Sequence, residues 1–258
     1  MARFKAVSHE DRLTLVEHLD ELRTRLIVCV AVLVVAMSLC VWQNDHLLDI
    51  ANDPIPDELL RAGGPVTLGP AEAFTTTLTI AAYFALLLSL PIILYQLYAY
   101  LLPAFSSAER RVILPLLLLA PLLFIGGVLF AYFVVMPPAI DFLVNFNDED
   151  FNNQLRAREY YTFFATMLIA MGLIFELPLA ILAVTRLGIV TPEQLAANRR
   201  YAILVIAIVA ALLPSIDPVT LILEMIPIVI LFELSILLAR AFGRPGTSGL
   251  SEPSAQEH

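Results

Sequence analysis

Charged residues are scarce in this sequence. They make up 15% of its 258 residues, whereas hydrophobic residues make up 59%. A soluble domain has about 25% charged and about 45–50% apolar residues. Several uncharged runs also reach the roughly 20 residues that a helix needs to cross a lipid bilayer. The composition therefore predicts an integral membrane protein, and the net charge of −9 argues against a nucleic-acid partner.

Residue patterns of common catalytic chemistry are missing as well. No histidine lies in a predicted span, the serines of the spans have no partner base, and no residues have metal-ligand spacing. A glycine-rich phosphate-binding loop is also missing. We therefore expect no enzyme, metal or cofactor, and neither an intramembrane hydrolase nor a pump with its own nucleotide site. The two cysteines, Cys29 and Cys40, are eleven residues apart on one predicted helix, too far for a disulfide.

Six apolar segments predict one all-α membrane domain that covers residues 1–240. The predicted spans are residues 26–42, 73–102, 112–136, 160–184, 201–214 and 219–238. The long loops between them are predicted at residues 43–71 and 137–159. Prolines in the spans predict bent helices and a concave shape, and Pro91 is expected to interrupt the second span. Residues 241–258, rich in Gly, Ser and Pro, are predicted to be a disordered cytoplasmic tail.

Helical signals also lie outside the spans. Leucines recur at helical spacing among the charges before the first span, which predicts an amphipathic helix in the membrane interface. This helix is expected to run directly into the first span. Between the fourth and fifth spans, Thr191, Pro192 and Glu193 are typical of a helix start.

The distribution of basic residues orients the spans. Twelve of the 15 lysines and arginines lie on the side that carries both termini, and three lie on the other side. The twelve are Arg3, Lys5, Arg12, Arg23, Arg25, Arg110, Arg111, Arg186, Arg199, Arg200, Arg240 and Arg244. The three are Arg61, Arg156 and Arg158. The positive-inside rule therefore predicts that both termini and the polar hairpin at residues 106–111 are cytoplasmic.

Acidic residues are the notable polar groups near the spans. Glu176 is predicted in the middle of the fourth span, where a charged side chain costs roughly 2.5 kcal/mol or more on insertion scales. It is expected to face a cavity or a lipid-exposed groove and to contact a partner helix. The alternative is a protonated acid bonded to a neighbouring helix or to carbonyls freed by Pro178. Glu224 and Glu233 in the sixth span have structural or interfacial alternatives, and Asp217 is expected to cap that helix.

Two further acids, Glu21 and Glu109, are predicted at interface depth on the cytoplasmic side. Glu21 lies where the amphipathic helix enters the membrane, and Glu109 lies at the tip of the hairpin between the second and third spans. Each has a local alternative. Ser106 to Glu109 fits a capping box, and Glu21 is one helical turn from Arg25. Taken alone, the residues favour these local roles.

Six local strings occur together in one order along the chain. They are HLDELRTRL at 18–26, PAEAF at 70–74, PIILYQLYAYLLPAFSSAERR at 91–111, FAYFVVMP at 130–137, FELP at 175–178 and LPSIDP at 213–218. This set closely resembles the TatC family, the multispanning receptor subunits of the twin-arginine protein translocase. The resemblance covers about residues 9–240. It implies six bent helices in a cupped, glove-like arrangement in the cytoplasmic (inner) membrane, with both termini cytoplasmic.

The same resemblance implies a function. Members of the family recognise twin-arginine signal peptides of folded proteins, and transport is driven by the proton gradient. The implied partners are the single-span subunits TatA and TatB and the precursor proteins, together with further copies of the chain in a homo-oligomeric receptor complex.

The resemblance also assigns roles to residues near the membrane surfaces. By position, Glu21 and Glu109 match the carboxylates that receive the two arginines of the signal peptide. Arg23 matches the adjacent basic position, and Tyr100 matches the aromatic residue at the helix end of the hairpin. Pro54 matches the proline of the first outer loop.

Further matches and two departures lie deeper in the membrane or on its outer side. Glu176 matches the intramembrane acid, and Asp217 matches the acid of the last outer turn. Thr79 stands where many relatives carry lysine, and Leu221 stands where a glutamine is common. Glu224, three residues after Leu221, is a candidate to supply the missing polar group.

A proton-coupled secondary transporter is the alternative function. Glu176 would be its titrating group. Transporters of that class are commonly built from repeats with discontinuous helices in matching positions, and the sequence shows no matching halves. The cytoplasmic carboxylates would also have no task in such a protein. Co-purification with a precursor and a single-span protein would favour the receptor, and solute movement without a partner would favour the transporter.

Overall fold

The computed structural model describes residues 9–61, 63–101, 107–146, 154–213 and 217–242, with side chains from residue 18 and without those of 107–117 and 242. The regular elements in these ranges are helices, which are, in chain order, α1 (His9–Trp42), α2 (Asn44–Asn52), α3 (Asp57–Arg61), α4 (Pro70–Leu101), α5 (Ser107–Phe130), α6 (Met136–Asn145), α7 (Ala157–Ile174), α8 (Leu177–Arg186), α9 (Pro192–Ala197), α10 (Arg199–Leu212) and α11 (Pro218–Phe242). A π-helical turn, Ala131–Val135, joins α5 to α6.

The described residues contain five apolar helical stretches long enough to cross a membrane. They are His18–Trp42, Pro70–Leu101, Leu118–Asn145, Ala157–Arg186 and Pro218–Ala241. The predicted fifth span corresponds to α10, which has 14 residues. At a rise of 1.5 Å per residue, α10 is about 21 Å long, shorter than the roughly 30 Å hydrocarbon core. The predicted amphipathic helix and first span form one continuous helix, α1.

The structure corrects the predicted loops. The third span does not end near residue 136, because α5 continues through the π-helical turn into α6. Pro137 and Pro138 explain both the turn and the error. They lack N–H groups, so the helical ladder is broken there, and the Met136 amide instead bonds to the carbonyl of Ala131, five residues back. The predicted loop 43–71 likewise contains α2 and α3.

Prolines affect the helices differently from the prediction. Pro91 was expected to interrupt the second span, but α4 continues through it to Leu101. The membrane environment explains this, because helical backbone bonds are the cheapest way to satisfy polar groups there, and membrane helices tolerate proline. At Thr191 the predicted helix start is confirmed, since the Thr191 and Gln194 side chains and backbones form a capping box.

Two larger apolar cores and a small cluster of Leu90, Leu94 and Phe124 between α4 and α5 hold the helices together. The larger core lies among α1, α2, α4, the π-helical turn, α6 and α7, and it buries Phe84, Phe164 and Met171. The smaller core joins α10 to α11 and buries Ile206 and Phe232. Helix α1 packs mainly along α4, α5 packs along α7, and α11 packs along α8. Much of the remaining surface is aliphatic and exposed, as a lipid-facing surface requires.

Helices α5 and α7 approach each other unusually closely at two glycines. A Cβ atom on Gly127 would lie 2.6 Å from the Met171 carbonyl oxygen and 2.9 Å from the Cα of Gly172. A Cβ atom on Gly172 would lie 2.6 Å from the Phe124 ring. Small residues permit such backbone contact between membrane helices, where van der Waals packing replaces hydrophobic association.

The fold has two polar ends. We call the end formed by residues 18–25 of α1 and 96–101 of α4 the hairpin end. We call the opposite end, formed by α2, α3 and the N-terminal turns of α4 and α7, the loop end. Helices α1 and α4 run antiparallel from one end to the other, because the start of the described α1 side chains contacts the last turns of α4.

Three tyrosines attach α2 and the turn after it to the loop end. The hydroxyl of Tyr160 donates to the carbonyl of buried Ala51 at 2.5 Å. The hydroxyl of Tyr161 donates to Asn52 Oδ1 at 2.8 Å, and that of Tyr132 donates to Asp53 Oδ2 at 3.0 Å. The short helix α2 is therefore held by side-chain hydrogen bonds from α7 and from the π-helical turn.

Replacing Tyr160 by Phe is expected to lower the free energy of unfolding by about 1–2 kcal/mol, because the buried Ala51 carbonyl loses its donor while the ring remains. Amide hydrogen exchange of α2 should also become faster. Hydrogen exchange and thermal unfolding in detergent measure both effects. The matched control is Tyr83→Phe, whose hydroxyl has no hydrogen bond to the described part of the chain. Equal behaviour of the two variants would contradict this role.

Candidate functional site

The hairpin end carries a carboxylate paired with an arginine of its own helix. Glu21 Oε1 accepts two N–H groups from Arg25, Nη2 at 2.6 Å and Nε at 3.0 Å. The third contact of the guanidinium goes to α4, where Arg25 Nη1 donates to Gln96 Oε1 at 2.8 Å. The side chains are 37% exposed for Glu21 and 24% for Arg25. The predicted local pairing of Glu21 with Arg25 is therefore confirmed, and it also connects α1 to α4.

A second contact between α1 and α4 lies next to this pair. The rings of His18 and Tyr100 stack with centroids 4.4 Å apart and planes 12° from parallel. His18 Nδ1 lies 3.9 Å from Glu21 Oε2, the oxygen that Arg25 does not use. Arg23 is exposed. Glu21, Tyr100 and His18 thus form one polar and aromatic surface that is open to solvent.

The side chain of Glu109 lies outside the described residues, but its backbone belongs to α5. The described part of α5 begins at Ser107, five residues before the predicted start of the third span. Glu109 therefore lies in the first turn of this described part. Acidic residues near a helix N-terminus are in general favoured by the helix dipole.

Glu176 lies at a break between two helices rather than in mid-helix. Helix α7 ends at Ile174, and α8 begins at Leu177 with Pro178 in its first turn. Proline disfavours a continuous helix at this point, which explains the break. The residue is 5% exposed, and its Oε2 accepts a hydrogen bond from the Tyr98 hydroxyl at 3.1 Å. This contact fits the alternative of an acid bonded to a neighbouring helix, because Tyr98 belongs to α4 of the same chain, and the low exposure argues against a lipid-exposed groove. The expected contact of Glu176 with a partner helix stays a prediction.

The acids on and before α11 have separate environments. Asp217 caps the helix as predicted, with Oδ1 accepting the Thr220 amide at 2.7 Å. Glu224 is completely buried. Glu233 pairs with Arg199 of α10 at 2.8 Å, and both side chains are more than two-fifths exposed. Glu233 therefore joins α10 to α11 near the surface, which agrees with its interfacial alternative.

The loop end is held together by an ion cluster and a short bridge. The Val66 amide donates to the Leu155 carbonyl at 2.8 Å, so the segment before α4 lies against the segment before α7. Arg156 Nε donates to Glu72 at 2.8 Å, and Nη1 donates to Glu159 at 3.0 Å. The hydrogen bonds to Glu72 and Glu159 raise the pKa of Arg156 above its ordinary value. Pro54 lies half-buried in the turn between α2 and α3.

Thr79 and Leu221, the two residues that depart from the family pattern, make only local or apolar contacts in the described part of the chain. The Thr79 hydroxyl donates to the Thr75 carbonyl of its own helix at 2.8 Å. Leu221 packs against the core between α10 and α11. Within the described part of the chain, no group of three or more His, Cys, Asp or Glu residues could hold a metal ion.

Sequence reasoning missed several residues of these sites. Gln96, Tyr98 and His18 were not singled out, although Tyr98 contacts Glu176, His18 contacts Tyr100, and Gln96 contacts Arg25, the partner of Glu21. A signal was available for two of them. Gln96 and Tyr98 are polar residues in the apolar run of α4, and a polar group in a span generally needs a partner because desolvation is costly. Their partners are more than 70 positions away in sequence, so only the fold reveals them.

Comparisons with known proteins agree with this arrangement. The family model described as Sec-independent protein translocase protein (TatC) matches residues 17–227. A relative from Escherichia coli (strain K12), named Sec-independent protein translocase protein TatC, is 35% identical over 92% of this chain and 92% of its own length. A relative of the same name from Desulforapulum autotrophicum is 33% identical over 94% of this chain and 90% of its own length.

Solved structures are similar over most of the chain. A crystal structure of the twin arginine translocase receptor TatC has a TM-score of 0.73 and 32% identity, covering 87% of this chain and 99% of that one. A second crystal structure, of the same receptor in DDM, has a TM-score of 0.74 and 33% identity, covering 86% of this chain and 98% of that one.

Proposed function

The chain belongs to the TatC family of Sec-independent protein translocase proteins, and from this premise we propose that its hairpin end binds the paired arginines of signal peptides. As a family member it is a receptor and core subunit of the twin-arginine translocation system, with a role in transport rather than in catalysis. The cargo of such a receptor is a folded protein that carries a twin-arginine signal peptide.

The observation that carries this proposal is the half-exposed Glu21 beside the stacked ring of Tyr100. A carboxylate and a guanidinium pair through charge-assisted hydrogen bonds, which are about twice as strong as neutral ones. A ligand with two arginines requires two such acids in fixed positions. Glu21, held by α1 against α4, is one of them, and Glu109 on the first turn of α5 is the second. Arg23 and Tyr100 belong to the same binding surface.

The basic residues support a cytoplasmic location of this surface. Twelve of the 15 lie on the side that the hairpin end shares with both termini, and Arg61, Arg156 and Arg158 lie on the side of the loop end. The chain crosses the cytoplasmic (inner) membrane six times, α10 being the short fifth span, and both termini are cytoplasmic. Because α10 is about 21 Å long, the bilayer becomes thinner or the helix group tilts around it.

The partners are the single-span subunits TatA and TatB, further copies of the chain and the bilayer itself. The exposed aliphatic residues of α1 and α11, such as Val34, Leu39 and Ile230, provide surfaces that either lipid or a partner helix can cover. Pro54 stabilises the conformation of the first outer loop, and Asp217 stabilises that of the last outer turn. The proton gradient supplies the energy, and no cofactor is needed.

Co-purification tests the receptor function against the secondary transporter. The full chain, solubilised mildly from native membranes, is expected to bring down a twin-arginine precursor together with a single-span subunit. A chain with Glu21→Gln and Glu109→Gln should retain the subunit and lose the precursor. Solute movement in liposomes that contain this chain alone, without precursor capture, would instead support a transporter.

Glu176 offers a separate test of the intramembrane site. Glu176→Gln retains an acceptor for Tyr98, so the unfolding free energy should stay within about 0.5 kcal/mol of the wild type. Transport into membrane vesicles should nevertheless fall, because an acid is needed for association with a partner helix. Tyr98→Phe is the control for structure, with an expected loss of about 1 kcal/mol. Unchanged transport by Glu176→Gln would make the acid structural.

A further inference from the structure

A cavity of about 640 Å³ lies between α6 and the start of α7, next to the loop end. Its lining combines aliphatic side chains of α6 with Thr162 and Phe163 of α7 and with the charged side chains of Arg158 and Glu159. We propose that this space, the α6/α7 cavity, binds one phospholipid molecule and prefers phosphatidylethanolamine. The inference is independent of the receptor function proposed for the hairpin end, because the two sites lie at opposite ends of the fold.

The α6/α7 cavity lies at the depth where a phospholipid changes from head group to acyl chain. Its deepest residue on α6, Ile140, is about 7.5 Å of helix from the end of α6 at Asn145. Its deepest residue on α7, Phe163, is about 9 Å of helix from the start of α7 at Ala157. The boundary between head groups and acyl chains has a similar depth, about 5–10 Å.

The size of the cavity favours part of a lipid over a partner helix. A helix that crosses the hydrocarbon core needs a contact surface of roughly 30 Å, whereas the cavity follows α6 and α7 for about two turns each. Its volume lies in the range of small-molecule sites, about 300–1,000 Å³. The phosphate, the glycerol and the first methylene groups of one chain therefore match both the space and its apolar lining.

The charged residues of the lining can bind a head group that carries both signs. Arg156 is already paired with Glu72 and Glu159, but Arg158 is exposed and forms no ion pair with any described residue. Glu159 uses Oε1 for Arg156, and its side chain is 72% exposed. A lipid phosphate can therefore accept hydrogen bonds from Arg158, while a cationic group three bonds further along the head group can donate to Glu159 Oε2.

The surrounding charge favours a zwitterionic head group over an anionic one. Acids outnumber arginines among the described residues of α2, α3 and the first turns of α4 and α7. The acids are Asp45, Asp49, Asp57, Glu58, Glu72 and Glu159, and the arginines are Arg61, Arg156 and Arg158. A lipid with net negative charge would be repelled by this excess. Ethanolamine is also favoured over choline, because its primary ammonium has N–H groups, as lysine does, and a quaternary ammonium has none.

Native mass spectrometry of the purified full chain in detergent tests this site. The wild type is titrated with phosphatidylethanolamine, phosphatidylcholine and phosphatidylglycerol of identical acyl chains, and it should bind the first most tightly. Arg158→Gln is expected to bind phosphatidylethanolamine about fivefold more weakly, the upper part of the range for an exposed charge pair. Glu159→Gln should bind the ethanolamine and choline lipids alike, because the acceptor that distinguishes them has lost its charge.

Arg61→Gln is the matched control. Arg61 is an exposed arginine of the same end, it pairs with Asp57 of its own helix, and it does not line the cavity. Its lipid affinities should equal those of the wild type. Equal affinity for phosphatidylethanolamine in Arg158→Gln and Arg61→Gln would overturn the proposal, and so would a wild type that prefers phosphatidylglycerol.

Two further measurements distinguish other occupants of the cavity. Glycerophosphoethanolamine, which has the head group without acyl chains, should not displace the lipid at equal concentration. Displacement would mean that the cavity is a site for soluble phosphates and would contradict the proposal. A photo-reactive residue at position 143, where Leu143 lines the cavity, should cross-link to lipid in native membranes. A cross-link to a protein instead would show that a partner covers this space, and it would equally refute the lipid site.

Discussion

A receptor that carries both Glu21→Gln and Glu109→Gln is expected to bind a twin-arginine signal peptide about a hundredfold more weakly than the wild type. Hydrogen bonds to charged groups contribute about 1.5–3 kcal/mol each, and each 1.4 kcal/mol is a factor of ten in affinity. If the two charge pairs act independently, their free energies add and the two factors in affinity multiply. Each single variant is expected to lose about tenfold.

Glutamine is the informative replacement at both positions. At position 21 it still accepts the hydrogen bonds of Arg25, so the contact between α1 and α4 remains. At position 109 it still supports a capping box at the start of α5. Any loss of peptide affinity is then caused by the missing negative charge, because the hydrogen-bond acceptor is still present. The measurement is peptide affinity for purified receptor in nanodiscs, with circular dichroism to show that both variants are folded.

Asp20→Asn is the matched control for these variants. Asp20 is an exposed acid directly beside Glu21, and its described hydrogen bond is made through its carbonyl to Thr24. A receptor that needs two fixed acids should bind almost normally without Asp20. Equal losses in Asp20→Asn and Glu21→Gln would indicate a diffuse negative surface instead, and wild-type binding by Glu109→Gln would reduce Glu109 to a helix cap.

The second large effect is expected at the contact between α5 and α7. Gly127→Ala should lower the free energy of unfolding by about 2–3 kcal/mol, the upper part of the range for overpacking. The added methyl would lie 2.6 Å from the Met171 carbonyl oxygen, and backbone atoms cannot move aside as a flexible side chain can. Separation of α5 from α7 would also disturb the close packing of the Phe124 ring on Gly172.

Gly126→Ala is the control that the chain itself provides. Gly126 is the neighbouring residue on the same helix, and a Cβ atom there would meet nothing within 4 Å. Alanine favours a helix over glycine by about 0.5–1 kcal/mol, so this variant should be as stable as the wild type or slightly more so. SDS-induced unfolding in mixed micelles measures both. Similar stability of the two variants would mean that α5 and α7 are less closely packed than the structure shows.

Local patterns predicted local features correctly. Asp217 was expected to cap α11 and does so, and the pairing of Glu21 with Arg25 follows from residues one turn apart. The start of α9 at Thr191 follows from its capping box. Each of these features depends on residues within four positions, where helix geometry alone determines the contact. The positive-inside orientation has the same local origin and remains a prediction.

Errors arose where tertiary structure or the membrane outweighed a local signal. Pro91 breaks no helix, because the surrounding bilayer favours helical hydrogen bonds. Pro178 does break one, and this moves Glu176 from mid-helix to a helix junction. The hydrogen bond from Tyr98 to Glu176 and the stacking of His18 on Tyr100 require α4 to lie against other helices. The hydrophobic periodicity of the sequence identifies each helix, but it does not determine which other helices that helix packs against.

One measurement tests the central claim most directly. The affinity of a signal peptide with two arginines is compared with that of the same peptide carrying two citrullines, which keep the shape of arginine and lose its charge. Wild-type receptor should prefer the arginine peptide strongly. The receptor with Glu21→Gln and Glu109→Gln should bind both peptides alike, because the charges that distinguish them are gone. A double variant that retained the full preference for arginine would show that other groups form the receptor site.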